Sequence, residues 1–125
     1  RACMDVKNRY QKHRRVLVES GTPLTVEATG TCRRLQALAV MGWPATVIAE
    51  HVGVTRETLR AITHGERHRV LRATAQAVMQ VFGDLCMAVG PNPATATIAK
   101  RKGWVSTLAW DDIDDPNERP QGVAA

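Results

Sequence analysis

A chain of 125 residues, 44% hydrophobic but only 4% aromatic, has the material for one compact domain whose core is filled by aliphatic side chains. Its formal charge of +5 understates the basic surface: the first 103 residues carry sixteen cations against seven anions, +9, whereas Asp111, Asp112, Asp114, Asp115 and Glu118 crowd the C-terminal end against Arg119. No stretch approaches the roughly 20 apolar residues of a membrane span, the N-terminal end lacks the apolar core of a signal peptide, and three widely spaced cysteines match no disulfide framework, so the chain reads as cytoplasmic with no membrane partner.

Residues 4–19 form a basic helical stretch with a thin apolar seam at Val6, Tyr10 and Leu17; Lys7, Arg9, Lys12, His13, Arg14 and Arg15 surround it. So narrow a seam packs weakly, which predicts an arm over residues 1–21 rather than a core helix. Leu24 to Ala28 reads as an irregular or extended link. The next helix is expected over about Cys32 to Met41, capped by Thr31, burying Leu35, Leu38 and Ala39, and stopped by Gly42.

Residues 42–65 read as two short helices bent across a glycine turn. Pro44 suits the first helical position, Ala49 is small where two helices cross closely, and Gly53 falls where the chain reverses. Thr55 can cap the second helix, on which Leu59 and Ile62 point inward with Val54 while Arg56, Glu57, Arg60 and His64 fall outside. That pattern is a helix-turn-helix with a polar, mostly cationic outer face.

After the basic turn Glu66–Arg69, the run from about Val70 to Ala88 keeps a 3.6-residue period at Leu71, Ala75, Val78, Val81, Phe82 and Leu85, which predicts a long scaffold helix. Gly90–Pro93 breaks it, Asn92 and Pro93 start another helix to Lys102, and Gly103 ends that one. Trp104 and Trp110 bracket the start of an acidic, Pro-containing tail. The expected fold is therefore all-α: a small helical bundle containing a helix-turn-helix, with a basic N-terminal helix and an irregular Trp- and Asp-rich C-terminal tail. Its expected organisation is an arm at 1–21, a DNA-binding domain at 31–103 and the tail at 104–125.

A helix lying in the major groove offers its N-terminal residues to base edges. Arg56 and Arg60, four apart, can each grip a guanine through O6 and N7. Glu57 either accepts from a cytosine amine or orients an arginine. Thr55 is placed for a phosphate or a thymine methyl, and His64, Arg67, His68 and Arg69 for the DNA backbone. The arm residues Lys7, Arg9, Lys12, Arg14 and Arg15 can track phosphates or enter a minor groove. The tail, oppositely charged, is expected to mask basic surface in the free protein.

Residues 31–88, through Ala49, Gly53, Thr55, Leu59, Ile62 and the His64-Gly65-Glu66 loop, resemble the DNA-binding domains of the lambda-repressor and Cro-like superfamily. Over its whole length the chain resembles a group of actinobacterial and actinobacteriophage helix-turn-helix proteins, including mycobacteriophage immunity-repressor-like regulators. The shared tail is Gly103-Trp104, then Leu108 to Asp112, then Ile113 to Pro116. This likeness implies a sequence-specific double-stranded DNA-binding transcriptional regulator, repressor-like, with dimeric and monomeric binding both open. Many relatives carry glutamine at the start of the first helix of the pair; here Ala45 and Thr46 stand there, and Thr46 still offers a hydroxyl to phosphate. Cys3 resembles the last cysteine of an N-terminal cluster found in the group. One cysteine is not a four-ligand site, so no metal and no cofactor are expected.

No phosphate loop, nucleophile elbow or histidine–carboxylate pattern is present, and no catalysis is expected. Two rivals remain: a helix-turn-helix used for protein–protein interaction, and the DNA-reading part of a recombinase or integrase system.

Overall fold

The structure is a computed structural model that describes residues 24–121. The arm at 1–21, with Cys3, Lys7, Arg9, Lys12, Arg14 and Arg15, lies outside the described residues. Within them the order is β1 (Thr25–Glu27), α1 (Thr29–Val40), α2 (Ala45–Val52), α3 (Arg56–Thr63), β2 (Arg69–Leu71), α4 (Arg72–Leu85), α5 (Pro93–Arg101) and a 3-10 turn at Thr107–Ala109.

The described chain is mostly helical, as expected of a small helical fold, but it is not purely so: an antiparallel pair joins β1 with β2, in the register Thr25 to Leu71, Val26 to Val70 and Glu27 to Arg69. The ladder is extended at both ends, by the Ala28 N–H donating to the His68 carbonyl at 3.0 Å and the Arg72 N–H donating to the Leu24 carbonyl at 2.8 Å. Val70 is buried and Val26 packs against the same core, so the central rung of the pair faces inward. This pairing takes Val70 and Leu71 out of the predicted long helix, which begins instead at Arg72. It also shifts α1: β1 delivers the chain to Ala28, the helix starts at Thr29, and Thr31 is a buried residue inside it rather than its cap.

Both α1 and α2 lie against α4, with α3 packed on α1 and α2 and with α5 on α1. Leu35 and Leu38 of α1, Ile48, Ala49 and Val52 of α2, Leu59 and Ile62 of α3, and Ala75, Val78 and Val81 of α4 form one core cluster. Leu35, Leu38, Leu59, Ile62 and Val78 are fully buried. Each such side chain contributes about 1.5–3 kcal/mol relative to exposure. Phe82 and Leu85 pack on its margin.

Local chemistry sets the corners. At the end of α1 the Trp43 N–H donates to the Leu38 carbonyl and the Gly42 N–H to the Ala39 carbonyl, satisfying acceptors the helix leaves open. Pro44 sits just before α2 in extended geometry, one residue earlier than its expected helical place. Gly53, at φ +87°, turns the chain between α2 and α3 in a conformation that a side chain would strain. Asn92 caps α5 by accepting from the Ala94 and Thr95 N–H groups, with Pro93 following it.

Beyond α5 the chain folds back over α1. The Arg33 guanidinium donates to the carbonyls of Ile113 at 3.2 Å, Asp115 at 2.6 Å and Glu118 at 3.3 Å, and lies over the Trp110 ring. Arg34 grips Asp114 through two hydrogen bonds, 2.7 and 3.0 Å. Among the described residues no helix is long and apolar enough to cross a membrane.

Candidate nucleic-acid interface

Among the described residues, the segment from Pro44 to Gly65 carries most of the candidate contacts. Thr55 adopts extended geometry at the head of α3, and its hydroxyl oxygen accepts the Thr58 N–H at 3.2 Å while donating to the Thr58 hydroxyl at 2.9 Å. The cap relieves one of the orphan donors of the first helical turn. Behind it Leu59 and Ile62 are 1% and 2% exposed, so one side of α3 is sealed into the core.

Arg56, Glu57 and Arg60 are exposed on the side left open. Among the described residues no ion pair joins Glu57 to either arginine; the carboxylate stands in solvent beside them. Thr46, at the second position of α2, is exposed as well. From Trp110 to Glu118 the tail contacts α1 through Arg33 and Arg34, and Arg56, Glu57 and Arg60 of α3 remain exposed.

The far end of α3 is held from two directions. From α1, Gln36 Nε2 donates to the Thr63 carbonyl at 2.9 Å and Cys32 Sγ donates to the same oxygen at 3.4 Å. Burial pushes the Cys32 thiol up, outweighing the opposing hydrogen bond from the Gly65 backbone, so the sulfur stays a protonated donor. From the other side, His64 closes the helix: its backbone N–H and its ring Nδ1 both meet the Arg60 carbonyl, each at 2.9 Å. Lys102 Nζ lies 3.0 Å from His64 Nε2, and the Trp104 ring stands edge-on to the imidazole at 5.2 Å.

Of the loop residues, Arg67 and His68 are exposed and line a cleft of about 480 Å³ between α1, this loop and the tail, with Cys32, Gln36 and Trp110 on its other walls. Arg69 is spent differently. Its Nε donates to the Thr25 hydroxyl at 3.0 Å and its Nη2 to the Thr25 carbonyl at 2.8 Å, bracing the sheet.

The tail carboxylates are likewise occupied. Glu118 accepts from the Asp111 and Asp112 N–H groups, Asp112 from Asp114 N–H, and Asp115 from Asn117 N–H. The hydrogen-bonded Arg34 guanidinium holds the Asp114 carboxyl below the usual carboxylate range, against a smaller opposing effect of burial. These acids organise the tail itself and attach it to α1.

Lys102 and Trp104 escaped the sequence reading as neighbours of His64. No spacing rule connects residues 38 apart, as Lys102 and His64 are, and the helical signal ended at Gly103 for reasons of its own. No family model, curated protein or solved structure matches this chain.

Proposed function

We propose that the chain is a sequence-specific double-stranded DNA-binding regulator, repressor-like in action, whose α2–turn–α3 unit works as a helix-turn-helix and whose α3 enters the major groove. The observation that carries this reading is the division of α3 into a sealed and an open side: Leu59 and Ile62 in the core, Arg56, Glu57 and Arg60 exposed and, among the described residues, without an ion pair.

A rigid platform is what base reading needs, because an arginine gripping O6 and N7 of guanine must arrive with its fork in the base plane. Arg56 and Arg60, one turn apart, reach neighbouring base pairs, each worth about 1–3 kcal/mol of discrimination. Glu57, free of both arginines, accepts from a cytosine amine. Thr46 at the head of α2 and Thr55 at the head of α3 face the backbone, where a helix N-terminus favours phosphate. Arg67 and His68 extend that contact beyond the helix; Arg69 serves it indirectly by fixing the loop. The positive balance of the first 103 residues speeds encounter with any duplex and leaves sequence choice to α3.

The deciding experiment is selection of bound duplexes from a random pool with the full chain. A sharp motif, lost when Arg56 and Arg60 are replaced by alanine, is the expected result. Binding indifferent to sequence, or no binding, overturns the reading.

A further inference from the structure

The strongest unexplained feature is the triangle of Lys102, Trp104 and His64. The Nδ1 contact with the Arg60 carbonyl requires the imidazole proton on Nδ1, which leaves the lone pair of Nε2 to accept from the Lys102 ammonium at 3.0 Å. Lys102 Nζ also lies 4.7 Å from the centroid of the Trp104 ring, and that ring meets the imidazole edge-on, at an interplanar angle of 69°. Each of the three side chains therefore touches the other two.

The base of the triangle is rigid. Trp104 N–H donates to the Ala99 carbonyl at 3.1 Å, closing α5, and Ala99 is buried. The ammonium sits at the C-terminal end of α3, where the helix dipole favours a cation. Gln36 and Cys32 hold the adjacent Thr63 carbonyl from α1. Thus the last turn of α3 is clamped between α1 and the residues that follow α5, while Arg56 and Glu57 at its first turn have no side-chain partner among the described residues.

We infer that Lys102 and Trp104 are positioning residues for base reading: through His64 they fix the rotation of α3 about its own axis, and with it the direction in which Arg60 leaves the helix. The inference rests on the DNA-binding reading and adds to it a role for a part of the chain that touches no base. Arg60 is the residue most affected, because its own carbonyl receives the clamp. Disturbing the triangle should relax discrimination at the base pair that Arg60 reads more than at the one Arg56 reads.

The test uses the full chain with its selected duplex and the variants Lys102→Met, Lys102→Arg, Trp104→Ala and His64→Ala. Lys102→Met and Trp104→Ala are expected to bind about tenfold more weakly with an unchanged salt slope, and Lys102→Arg to restore binding, since arginine still donates to Nε2. In a His64→Ala background, Lys102→Met should have no further effect, the non-additivity of residues acting as one unit. A salt slope reduced by about one, with additive losses, would make Lys102 a phosphate contact and overturn the inference. A second readout is independent of DNA: long-range nitrogen–proton NMR of the His64 ring should report the Nδ1–H tautomer in the wild type and in Lys102→Met alike, with the Nε2 resonance shifted in Lys102→Met by the loss of its donor. Were no duplex selected by the wild type, the DNA reading would fall, and the ring spectra would still judge the clamp: an unaltered Nε2 resonance in Lys102→Met overturns it.

Discussion

The guanidinium carbon of Arg33 lies 3.9 Å from the centroid of the Trp110 ring, so a side chain from the first half of α1 is stacked on the tail that folds back over it. The same guanidinium feeds three tail carbonyls, a use of its planar fork that an ammonium cannot reproduce. Arg33→Ala is expected to cost about 1–3 kcal/mol in urea unfolding and to open residues 104–121 to proteolysis, with Arg33→Lys recovering only part. An unchanged midpoint would mean that the tail is held by something else.

Asp114 gives the attachment a pH dependence of known sign. In the folded chain the Arg34 guanidinium lowers its pKa below the ordinary 3.8, so the stability it supplies is complete above that value and is lost as pH falls through the lower, folded one. The carboxylate is largely exposed, which limits the contribution to at most about 1 kcal/mol. Stability curves of the wild type and Asp114→Asn should differ at neutral pH and converge in acid. Curves that run parallel throughout would remove the carboxylate from this role.

Gly30 lies directly beneath that ion pair: a Cβ there would overlap the Asp114 carboxylate and crowd the Arg34 guanidinium. Both groups are ends of flexible side chains, and alanine in place of a helical glycine returns about 1 kcal/mol. Gly30→Ala should therefore leave net stability nearly unchanged, abolish the acid dependence assigned to Asp114, and be plainly stabilising in an Asp114→Asn background. Calorimetry of the three variants checks the order.

Gly53 is a different case, since its φ of +87° is wrong for any side chain whatever the space around it. Gly53→Ala is expected to cost about 1–2 kcal/mol and to weaken DNA binding by misdirecting α3. Retained stability in a thermal melt would show that the turn relaxes to another geometry.

Leu59 and Arg60 are adjacent in sequence and opposite in consequence. Leu59→Ala opens a cavity in the core and should cost about 2–5 kcal/mol, taking DNA binding with it through unfolding. Arg56→Ala and Arg60→Ala should leave stability within about 0.5 kcal/mol while removing the selected motif. Paired melts and binding curves separate the two classes; a destabilised Arg60→Ala would contradict its exposed placement.

Local signals were legible in the sequence and distant ones were not. Gly53, Thr55, Leu59 and Ile62 declare a turn, a cap and an inward stripe within ten residues, because each acts on its immediate neighbours. The β1–β2 pair was missed because its strands have three residues each and their partners lie far apart in sequence; Val70 and Leu71 fit a helical period equally well. Thr31 has the chemistry of a cap, but the start of α1 is set by the pairing of the extended segment before it with residues 69–71, a contact no local signal carries. The outward placement of Arg56, Glu57 and Arg60 follows from periodicity, whereas the diversion of Arg69 to Thr25 and of His64 to Lys102 depends on which elements meet in space.

The pairing of Val26 with Val70 joins the two ends of the segment that contains α1, α2 and α3. That segment is a closed loop fastened at its neck, and its exposed Glu66-Arg67 link lies beside the fastening. A single cut at this link would divide the polypeptide into two pieces that still share a ladder and an interior, so the protein should be reconstitutable from halves, with α3 carried by one and Lys102 and Trp104 by the other.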